Sequence, residues 1–219
     1  MKILVIIHEF PPIGGGGGLI ARDLAIALVQ RGHQVRVLTA HYGSLPEKED
    51  CSGVEVIRLR SGRKEAFRAK LMTMARFILA ASKYSAFEMK DFEPDLIHAH
   101  FAVPGGPAAK FAASRWKIPY VLTVHLGDIP DASPEKTGKW FRFLYPFTHR
   151  YWNKAAAIVS VSEFSRKIAL RKYNVPIQVI PNGIDYQAVK IDRIEPHSVP
   201  KIVFAGRFVP QKNLLQIVE

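Results

Sequence analysis

Five consecutive glycines, Gly14 to Gly18, form the stretch of the sequence with the clearest chemical meaning. They follow residues 2–7, a run rich in β-branched side chains that predicts a strand buried on both faces. They precede apolar positions that recur at helical spacing from Leu19 onward. A loop without side chains between a strand and a helix N-terminus lets backbone N–H groups and the helix dipole act on a ligand. We therefore predict an anion-binding site here, with a phosphate group as its ligand.

Two common glycine motifs do not fit this loop. A dinucleotide fingerprint needs a glycine at position 19, which is Leu19, and an acidic residue after the second strand, which ends in Thr39-Ala40. No glycine is followed by the Lys-Ser or Lys-Thr pair of a P-loop. The alternative, that the glycines serve only a tight turn, is weak because five in a row cost considerable chain entropy.

A second chemical group follows the predicted strand of residues 120–124, where His125 and Asp128 stand three residues apart. Open α/β sheets place their sites beyond the carboxyl ends of the strands. His125 is therefore predicted to contact a substrate, and Asp128 to orient it or to touch an acceptor. The alternative for His125 is a structural histidine held by hydrogen bonds.

His98 and His100 lie two residues apart on one predicted strand and therefore share a face. Such a pair could contribute to a metal site, but zinc needs three or four protein ligands and no third ligand is recognisable. We predict no metal and no cofactor.

The composition limits the partners and the location of the chain. Its 219 residues carry 31 Lys and Arg against 19 Asp and Glu, a net charge of +12, which favours anionic partners such as nucleotides or phospholipid headgroups. A basic surface without a specific function is the alternative. No recognition helix or RNA-binding motif accompanies the charge, so nucleic acid is not an expected partner. The single Cys51 excludes an internal disulfide framework, and neither a membrane span nor a signal peptide is recognisable, so we expect a cytoplasmic protein.

The segment of residues 136–154 combines basic and aromatic side chains and contains no acidic residue. Rings at the headgroup boundary and cations beside anionic lipid are typical of a peripheral membrane interface. Packing of the same rings into the core is the alternative, and Pro146 divides the predicted helix. We expect peripheral contact with the anionic inner face of a membrane. The basic members are Lys136, Lys139, Arg142, Arg150 and Lys154, and the aromatic members are Trp140, Phe141, Phe143, Tyr145, Phe147, Tyr151 and Trp152.

Strands and helices alternate along the chain, which predicts right-handed β-α-β crossovers and a Rossmann-like, mostly parallel sheet with helices on both faces. Residues 41–53 are predicted to be a polar loop, and residues 184–200 an interdomain linker. We predict one complete domain over residues 1–183 and the first strand and loop of a second over residues 201–219. The predicted strands are residues 2–7, 35–39, 54–59, 95–98, 120–124, 157–161, 178–180 and 202–205, and the predicted helices are about 19–31, 63–89, 104–116, within 139–153, and 162–173.

Seven short motifs occur in order along nearly the whole chain. They are the glycine loop after the first strand, residues 31–35 (RGHQV), 94–100 (PDLIHAH), 123–128 (TVHLGD), 160–162 (SVS), 181–185 (PNGID), and 204–207 (FAGR) with Lys212-Asn213. Together they resemble the group 1, or family 4, glycosyltransferases, whose GT-B fold uses two Rossmann-like domains that face each other across a cleft. The resemblance covers the N-terminal domain, the linker and the first strand of the C-terminal domain.

The resemblance implies a retaining transfer of a sugar from a nucleotide-sugar donor to a hydroxyl of a sugar or lipid-linked acceptor. In this family the donor diphosphate lies between the first glycine loop and an Arg and a Lys at the start of the second domain, positions that are Arg207 and Lys212 here. Two cations and backbone amides can stabilise the leaving nucleoside diphosphate without a metal. His125 would contact the transferred sugar or steady the reacting centre.

The resemblance also implies that nucleoside recognition, including two glutamates of the C-terminal domain, lies beyond Glu219. We therefore expect these 219 residues to be an incomplete enzyme that binds donor poorly and is inactive alone. The alternative from a different class is a non-catalytic Rossmann-like module that docks on an anionic membrane or a partner, with its +12 charge as the functional feature.

Overall fold

A computed structural model describes residues 1–129, 144–186, 201–206, 208 and 213–218. The chain forms two compact units, Met1–Asn182 and Gly183–Glu219. Arg207, Lys212 and most of the predicted linker of residues 184–200 lie outside the described residues. The division into a first domain, a linker and a second domain therefore stays a prediction.

The first unit is built on one sheet, in which the described residues form eight strands in the order β3-β4-β2-β1-β5-β6-β7-β8. All neighbouring strands are parallel except β3 and β4. The predicted α/β class with a mostly parallel sheet is thus confirmed. The strands are β1 (Lys2–Ile6), β2 (Gln34–Ala40), β3 (Lys48–Cys51), β4 (Val54–Leu59), β5 (Leu96–His100), β6 (Tyr120–Val124), β7 (Ala157–Ser160) and β8 (Gln178–Val179).

Helices cover both faces of this sheet. Alternate residues of β1 point to opposite faces, and each face has an apolar core of its own. Ile3 and Val5 pack with one core, which includes Ala21 and Ala25 of the first helix. Leu4 and Ile6 belong to the other core, to which the next four helices contribute. The helices of the first unit are α1 (Gly16–Gln30), α2 (Leu71–Phe87), α3 (Gly105–Trp116), α4 (144–152) and α5 (Glu163–Leu170).

The strand order changes direction at β1, since β2 and β4 lie on one side of it and β5 and β6 on the other. Such a reversal opens a crevice at the carboxyl ends of the strands, where α/β sheets bind their ligands. The residues that follow β1, β5 and β6 are therefore the ones that the fold brings to a site.

β3 lies inside the segment that was predicted to be a polar loop, and that prediction is wrong. Ser52 and Gly53 both have positive φ angles, 55° and 84°, and form the two-residue turn that joins β3 to β4. This geometry is typical of tight β-hairpins. Asp50 supports the turn by accepting a hydrogen bond from the Gly53 amide at 3.0 Å. A charged strand forms here because it lies at the edge of the sheet, with one side in solvent.

The long helix predicted from residue 63 begins only at Leu71. Its buried face includes Phe77, Ala81 and Tyr84, whereas Phe67, which lies within the predicted helix, is 63% exposed. Residues 63–70 are not helical, because the buried guanidinium of Arg63 holds this segment against the backbone that follows β1.

Arg63 donates hydrogen bonds to the carbonyl oxygens of His8 (3.0 Å), Glu65 (2.9 Å) and Ala66 (3.0 Å). Replacing Arg63 by alanine is expected to lower the free energy of unfolding by roughly 3 kcal/mol, because buried carbonyls lose a charged donor. Urea denaturation measures this change. Arg60→Ala is the matched control, since that side chain is 79% exposed and its surface pair with Glu47 contributes little. Equal losses for the two variants would contradict the assigned role of Arg63.

The second unit is described only in part. Residues 201–206 form no strand in the structure, although residues 202–205 were predicted to be one. A four-residue helix, α6 (Leu215–Val218), follows. No helix within the described ranges is long and apolar enough to cross a membrane.

Candidate functional site at the carboxyl edge of the sheet

The N-terminus of α1 lies beyond the carboxyl end of β1 and is built from the predicted glycine loop. α1 begins at Gly16 with Gly15 as its N-cap, so the prediction of a loop through Gly18 and a helix from Leu19 is wrong for the last three glycines. No side chain caps this helix end, and its first turn contains no acidic residue. The first amides of a helix have no intrahelical acceptor, so this end keeps a positive potential that an anion can use.

The five glycines answer different structural demands. A Cβ atom at Gly17 would lie 2.6 Å from the ring of Phe101, and one at Gly18 would lie 2.6 Å from the carbonyl oxygen of Glu9. Gly14 has a φ angle of +88°, in the left-handed region. A Cβ at Gly15 or Gly16 would meet nothing within 4 Å. Packing and backbone geometry thus require three of the glycines, whereas the other two leave open space in front of the helix.

This difference predicts opposite outcomes for two alanine variants. Gly18→Ala is expected to cost about 1–3 kcal/mol of unfolding free energy, because its Cβ meets backbone that cannot move aside. Gly16→Ala is expected to leave stability unchanged or raise it slightly, since alanine is the better helix former. Denaturation of the two purified variants measures both changes. If Gly16→Ala lowers the free energy of unfolding as much as Gly18→Ala does, residue 16 does not face open space.

His125 follows β6, and Asp128 holds it in place through a short 3₁₀ turn at Leu126–Asp128. The backbone N–H of His125 donates to Oδ2 of Asp128 at 2.8 Å, and the backbone N–H of Asp128 donates to the carbonyl oxygen of His125 at 2.9 Å. Asp128 itself is buried, with 3% exposure. The structure therefore brings the two predicted residues together and gives Asp128 the geometry of an orienting group.

The His125 ring carries a single proton when it is neutral. A neutral imidazole has one N–H donor and one acceptor nitrogen. Nε2 has no hydrogen-bond partner among the described residues. Burial lowers the pKa of His125 to about 4, so the ring is neutral near pH 7. His125 consequently offers one N–H donor at the carboxyl edge of the sheet.

Three further histidines surround His125 and Phe101, and we call these four histidines the histidine cluster. The His100 ring lies 5.9 Å from that of His125 and 4.3 Å from that of His98, between centroids. His98 Nε2 lies 2.8 Å from Oγ1 of Thr123. His8 was not among the predicted site residues, although it follows β1 as His125 follows β6, and this shared position is the sequence signal that could have identified it. Within the described residues, no group of three or more His, Cys, Asp or Glu is arranged to hold a metal ion.

Burial keeps the histidine cluster uncharged. It lowers the pKa of His98 to about 4 and that of His100 well below its ordinary value of 6.5. Burial, together with the charge of Arg63, lowers the pKa of His8 to about 3. The cluster is therefore a set of neutral rings near pH 7, which suits hydrogen bonding to hydroxyl groups better than attraction of an anion.

Phe101 connects the two halves of this site, and nothing in the sequence singled it out. Its ring is packed on Gly17, lies 4.4 Å from the His125 ring and makes an edge contact with His8 at 5.2 Å. Its φ angle of +66° is unusual for a residue with a side chain. Such backbone strain is concentrated at functional sites, where the surrounding structure maintains it.

Glu9 is an acidic group beside the anion site, and Arg63 balances it. The Glu9 carboxylate lies 3.4 Å from a guanidinium nitrogen of Arg63 and 3.5 Å from Nε2 of His8. A carboxylate at this position would repel a phosphate, so the buried arginine preserves the positive character of the helix end.

The structure does not describe several of the other residues that were predicted to be functional. Arg207 and Lys212 lie outside the described residues, as do residues 130–143 of the aromatic and basic segment. In the remainder of that segment, Tyr151 and Trp152 are buried in the core, and Trp152 stacks on Tyr173 with ring centroids 3.8 Å apart. Phe147 is 58% exposed.

The sequence and the fold of the chain are similar to those of known glycosyltransferases. The sequence matches the Glycosyltransferase Family 4 domain over residues 14–188. The chain belongs to glycosyltransferase family 4. Among curated relatives of this family 4 chain, an uncharacterized glycosyltransferase of Methanocaldococcus jannaschii, MJ1607, is 28% identical over 195 residues, which cover 84% of the chain and 47% of the relative.

Solved structures share the fold of this family 4 domain. Sucrose-phosphate synthase from Thermosynechococcus elongatus superposes with a TM-score of 0.64 at 19% identity, over 84% of this chain and 49% of that one. The catalytic domain of starch synthase IV from Arabidopsis thaliana, bound to ADP and acarbose, gives a TM-score of 0.59 at 15% identity, over 86% of this chain and 52% of that one. The chain spans less than half the length of the curated relatives that it matches. It corresponds to the N-terminal Rossmann-like domain of a GT-B glycosyltransferase.

Proposed function

We propose that this chain is the acceptor-side half of a retaining glycosyltransferase that moves a sugar from a nucleotide-sugar donor to an acceptor hydroxyl. The observation that carries the proposal is the position of Phe101, whose ring contacts both the first turn of α1 and His125. A phosphate at the helix end and a sugar at the histidine would then belong to one ligand, as in a sugar nucleotide.

The first turn of α1 binds phosphate through its backbone amides. Gly15 and Gly16 leave open space in front of the helix, so a phosphate oxygen can approach without meeting a side chain. We propose that Gly14, Gly17 and Gly18 shape this cradle, and that Arg207 and Lys212 supply positive charge from the second domain. Negative charge gathers on the diphosphate as the bond to the sugar breaks, and cations and fixed amides stabilise it there.

His125 binds the transferred sugar through the proton on Nε2. Its ring is held between Phe101 and His100, and Nε2 is buried without a partner among the described residues. Because burial lowers its pKa to about 4, His125 acts as a hydrogen-bond donor rather than as a general acid that gains and loses protons near pH 7. Asp128 is a positioning residue, since its carboxylate accepts from the His125 backbone N–H and its own backbone N–H donates to the His125 carbonyl oxygen.

We propose that the 219 residues alone transfer no sugar, because donor recognition depends on the half of the relatives that this chain does not span. The acceptor is a sugar or a lipid-linked sugar, and the site of action is the cytoplasm, with peripheral contact at the anionic inner face of a membrane. The net charge of +12 supports an anionic donor and an anionic surface.

A thermal-shift panel of UDP-, GDP- and ADP-sugars on the full-length protein tests this proposal. One nucleotide class is expected to raise the Tm of the full-length protein, whereas the 219-residue chain shows no comparable shift. NMR of the product then reports the anomeric configuration, which retention requires to match that of the donor. Turnover of any sugar nucleotide by the 219 residues alone, or an inverted product, would contradict the corresponding part of the proposal.

A further inference from the structure

α2 presents a solvent-facing line of residues that the glycosyltransferase site does not use. Met72, Leu79 and Phe87 are 64%, 70% and 71% exposed, and the exposed cations Arg76 and Lys83 stand between them. The spacings along this line are four, three, four and four residues, which places all five side chains on one side of the helix. We call this line the α2 face.

The α2 face does not contribute to the packing of α2 against the rest of the domain. The opposite side of the helix supplies Phe77, Ala81 and Tyr84 to the core. Single exposed apolar side chains are common on protein surfaces, but several in one line form a patch that needs an explanation. Two more exposed apolar residues lie near the start of α2, where Leu71 is 46% exposed and Phe67 is 63% exposed.

The charges along the α2 face are mainly positive. Residues 66–87 contain Arg68, Lys70, Arg76 and Lys83 and no acidic residue, and the exposed Glu65 and Glu88 lie just outside this range. None of these four cations forms an ion pair with another described residue. The neighbouring helix α3, which packs against α2, carries Lys110 and Arg115 and is also free of acidic residues. A surface of this kind is complementary to a negatively charged partner with an apolar layer beneath its charges.

We propose that the α2 face docks on the surface of an anionic lipid bilayer, with Met72, Leu79 and Phe87 at the boundary between headgroups and acyl chains and with Arg76 and Lys83 at lipid phosphates. Helices that lie in the membrane surface combine these two kinds of side chain. This inference rests on the proposed peripheral membrane contact and names the surface that makes it. The inference assigns the membrane contact to α2 instead of residues 136–154. Two aromatic side chains of that segment, Tyr151 and Trp152, belong to the core.

Flotation of the full-length protein with vesicles tests the inference. Phosphatidylcholine vesicles with and without phosphatidylglycerol are compared for the native protein, for Arg76→Gln/Lys83→Gln and for Leu79→Ser. The native protein is expected to float only with the anionic vesicles. The double variant is expected to bind them about 30-fold more weakly, since each cation near an anionic surface contributes about a factor of five or more. Leu79→Ser is expected to weaken binding as well, without loss of fold, because Leu79 is 70% exposed.

Arg22→Gln/Arg31→Gln is the matched control. It removes the same charge from α1 and its C-terminal end, on the opposite face of the sheet, and is expected to keep anionic binding within about twofold of the native protein. Circular dichroism of each variant checks that the domain is folded.

Each remaining outcome overturns the inference in an identifiable way. Equal flotation with neutral vesicles, or none with either kind, contradicts it together with the proposed membrane contact. Native-like binding by both α2 variants contradicts the assigned surface while the membrane contact stands. A change in sedimentation mass without a change in vesicle binding shows that a second copy of the chain covers the face. The donor thermal-shift panel is independent of all these results.

Discussion

Replacing His125 by alanine in the full-length enzyme is expected to lower kcat by about 10²- to 10³-fold, with the identified donor and acceptor, because the reacting sugar loses a fixed hydrogen-bond donor. The loss should fall mainly on kcat, since a donor held in place by Asp128 and Phe101 acts most strongly on the charge that develops during transfer. Steady-state kinetics of the native and variant enzymes measure the effect.

His125→Gln is expected to restore part of the lost rate, because a glutamine amide can place an N–H near the position of Nε2. His33→Ala, at a residue outside the histidine cluster, is the control and should leave kcat unchanged. The native pH profile is expected to show no ionisation of His125 between pH 6 and pH 8, since burial lowers its pKa to about 4. A kcat of His125→Ala close to that of the native enzyme would refute the assigned role.

Acid is expected to unfold this domain near pH 5, and the histidine cluster is the cause. The pKa values of His98 and His125 are lowered to about 4 and that of His8 to about 3, against an ordinary value of 6.5. Above pH 6.5 these side chains are neutral whether the chain is folded or unfolded, so they do not affect stability. Below it, the unfolded chain takes up protons that the folded chain excludes, and the free energy of unfolding falls by about 1.4 kcal/mol per pH unit for each group.

Together these three histidines are expected to remove about 5 kcal/mol between pH 6.5 and pH 5, which is comparable with the whole stability of a marginally stable domain. Burial of His100 acts in the same direction by lowering its pKa. Urea denaturation at a series of pH values measures the loss. His98→Asn is expected to make stability less sensitive to pH, whereas His33→Asn should not change the slope. A stability that is the same at pH 7 and pH 5 would show that the cluster is not buried as described.

The parts of the fold that could be predicted are those in which local signals and tertiary packing agree. The bounds of β4 and β6 were predicted correctly, because runs of β-branched side chains end at turn residues. The start of the helix predicted from residue 162 is also close to that of α5, where the Ser162 side chain accepts a hydrogen bond from the Ser165 amide at 3.1 Å. The predicted end of the first helix near residue 31 is close to that of α1, after which Gly32 has a positive φ angle, 83°.

Predictions failed where tertiary contacts outweigh local preference. Gly17 and Gly18 belong to the first turn of α1 although glycine disfavours helices, because Phe101 and the Glu9 backbone leave no room for a Cβ atom at these two positions. The late start of α2 depends on Arg63, whose partners are far apart in the sequence. The position of His125 beyond β6 was predictable from the strand order. The strained backbone of Phe101 beside it was not, because phenylalanine as a residue type does not indicate a positive φ angle.

The two edge strands of the sheet also affect the tendency of this protein to aggregate. β3 carries Lys48, Glu49 and Asp50 along its four residues, and β8 has only two residues and is followed closely by Pro181, which has no N–H to donate. Exposed strand edges recruit other chains into aggregates, and charged or very short edges resist this. Among the strands that the structure describes, the completed sheet therefore offers another chain only a charged strand at one edge and a two-residue strand at the other.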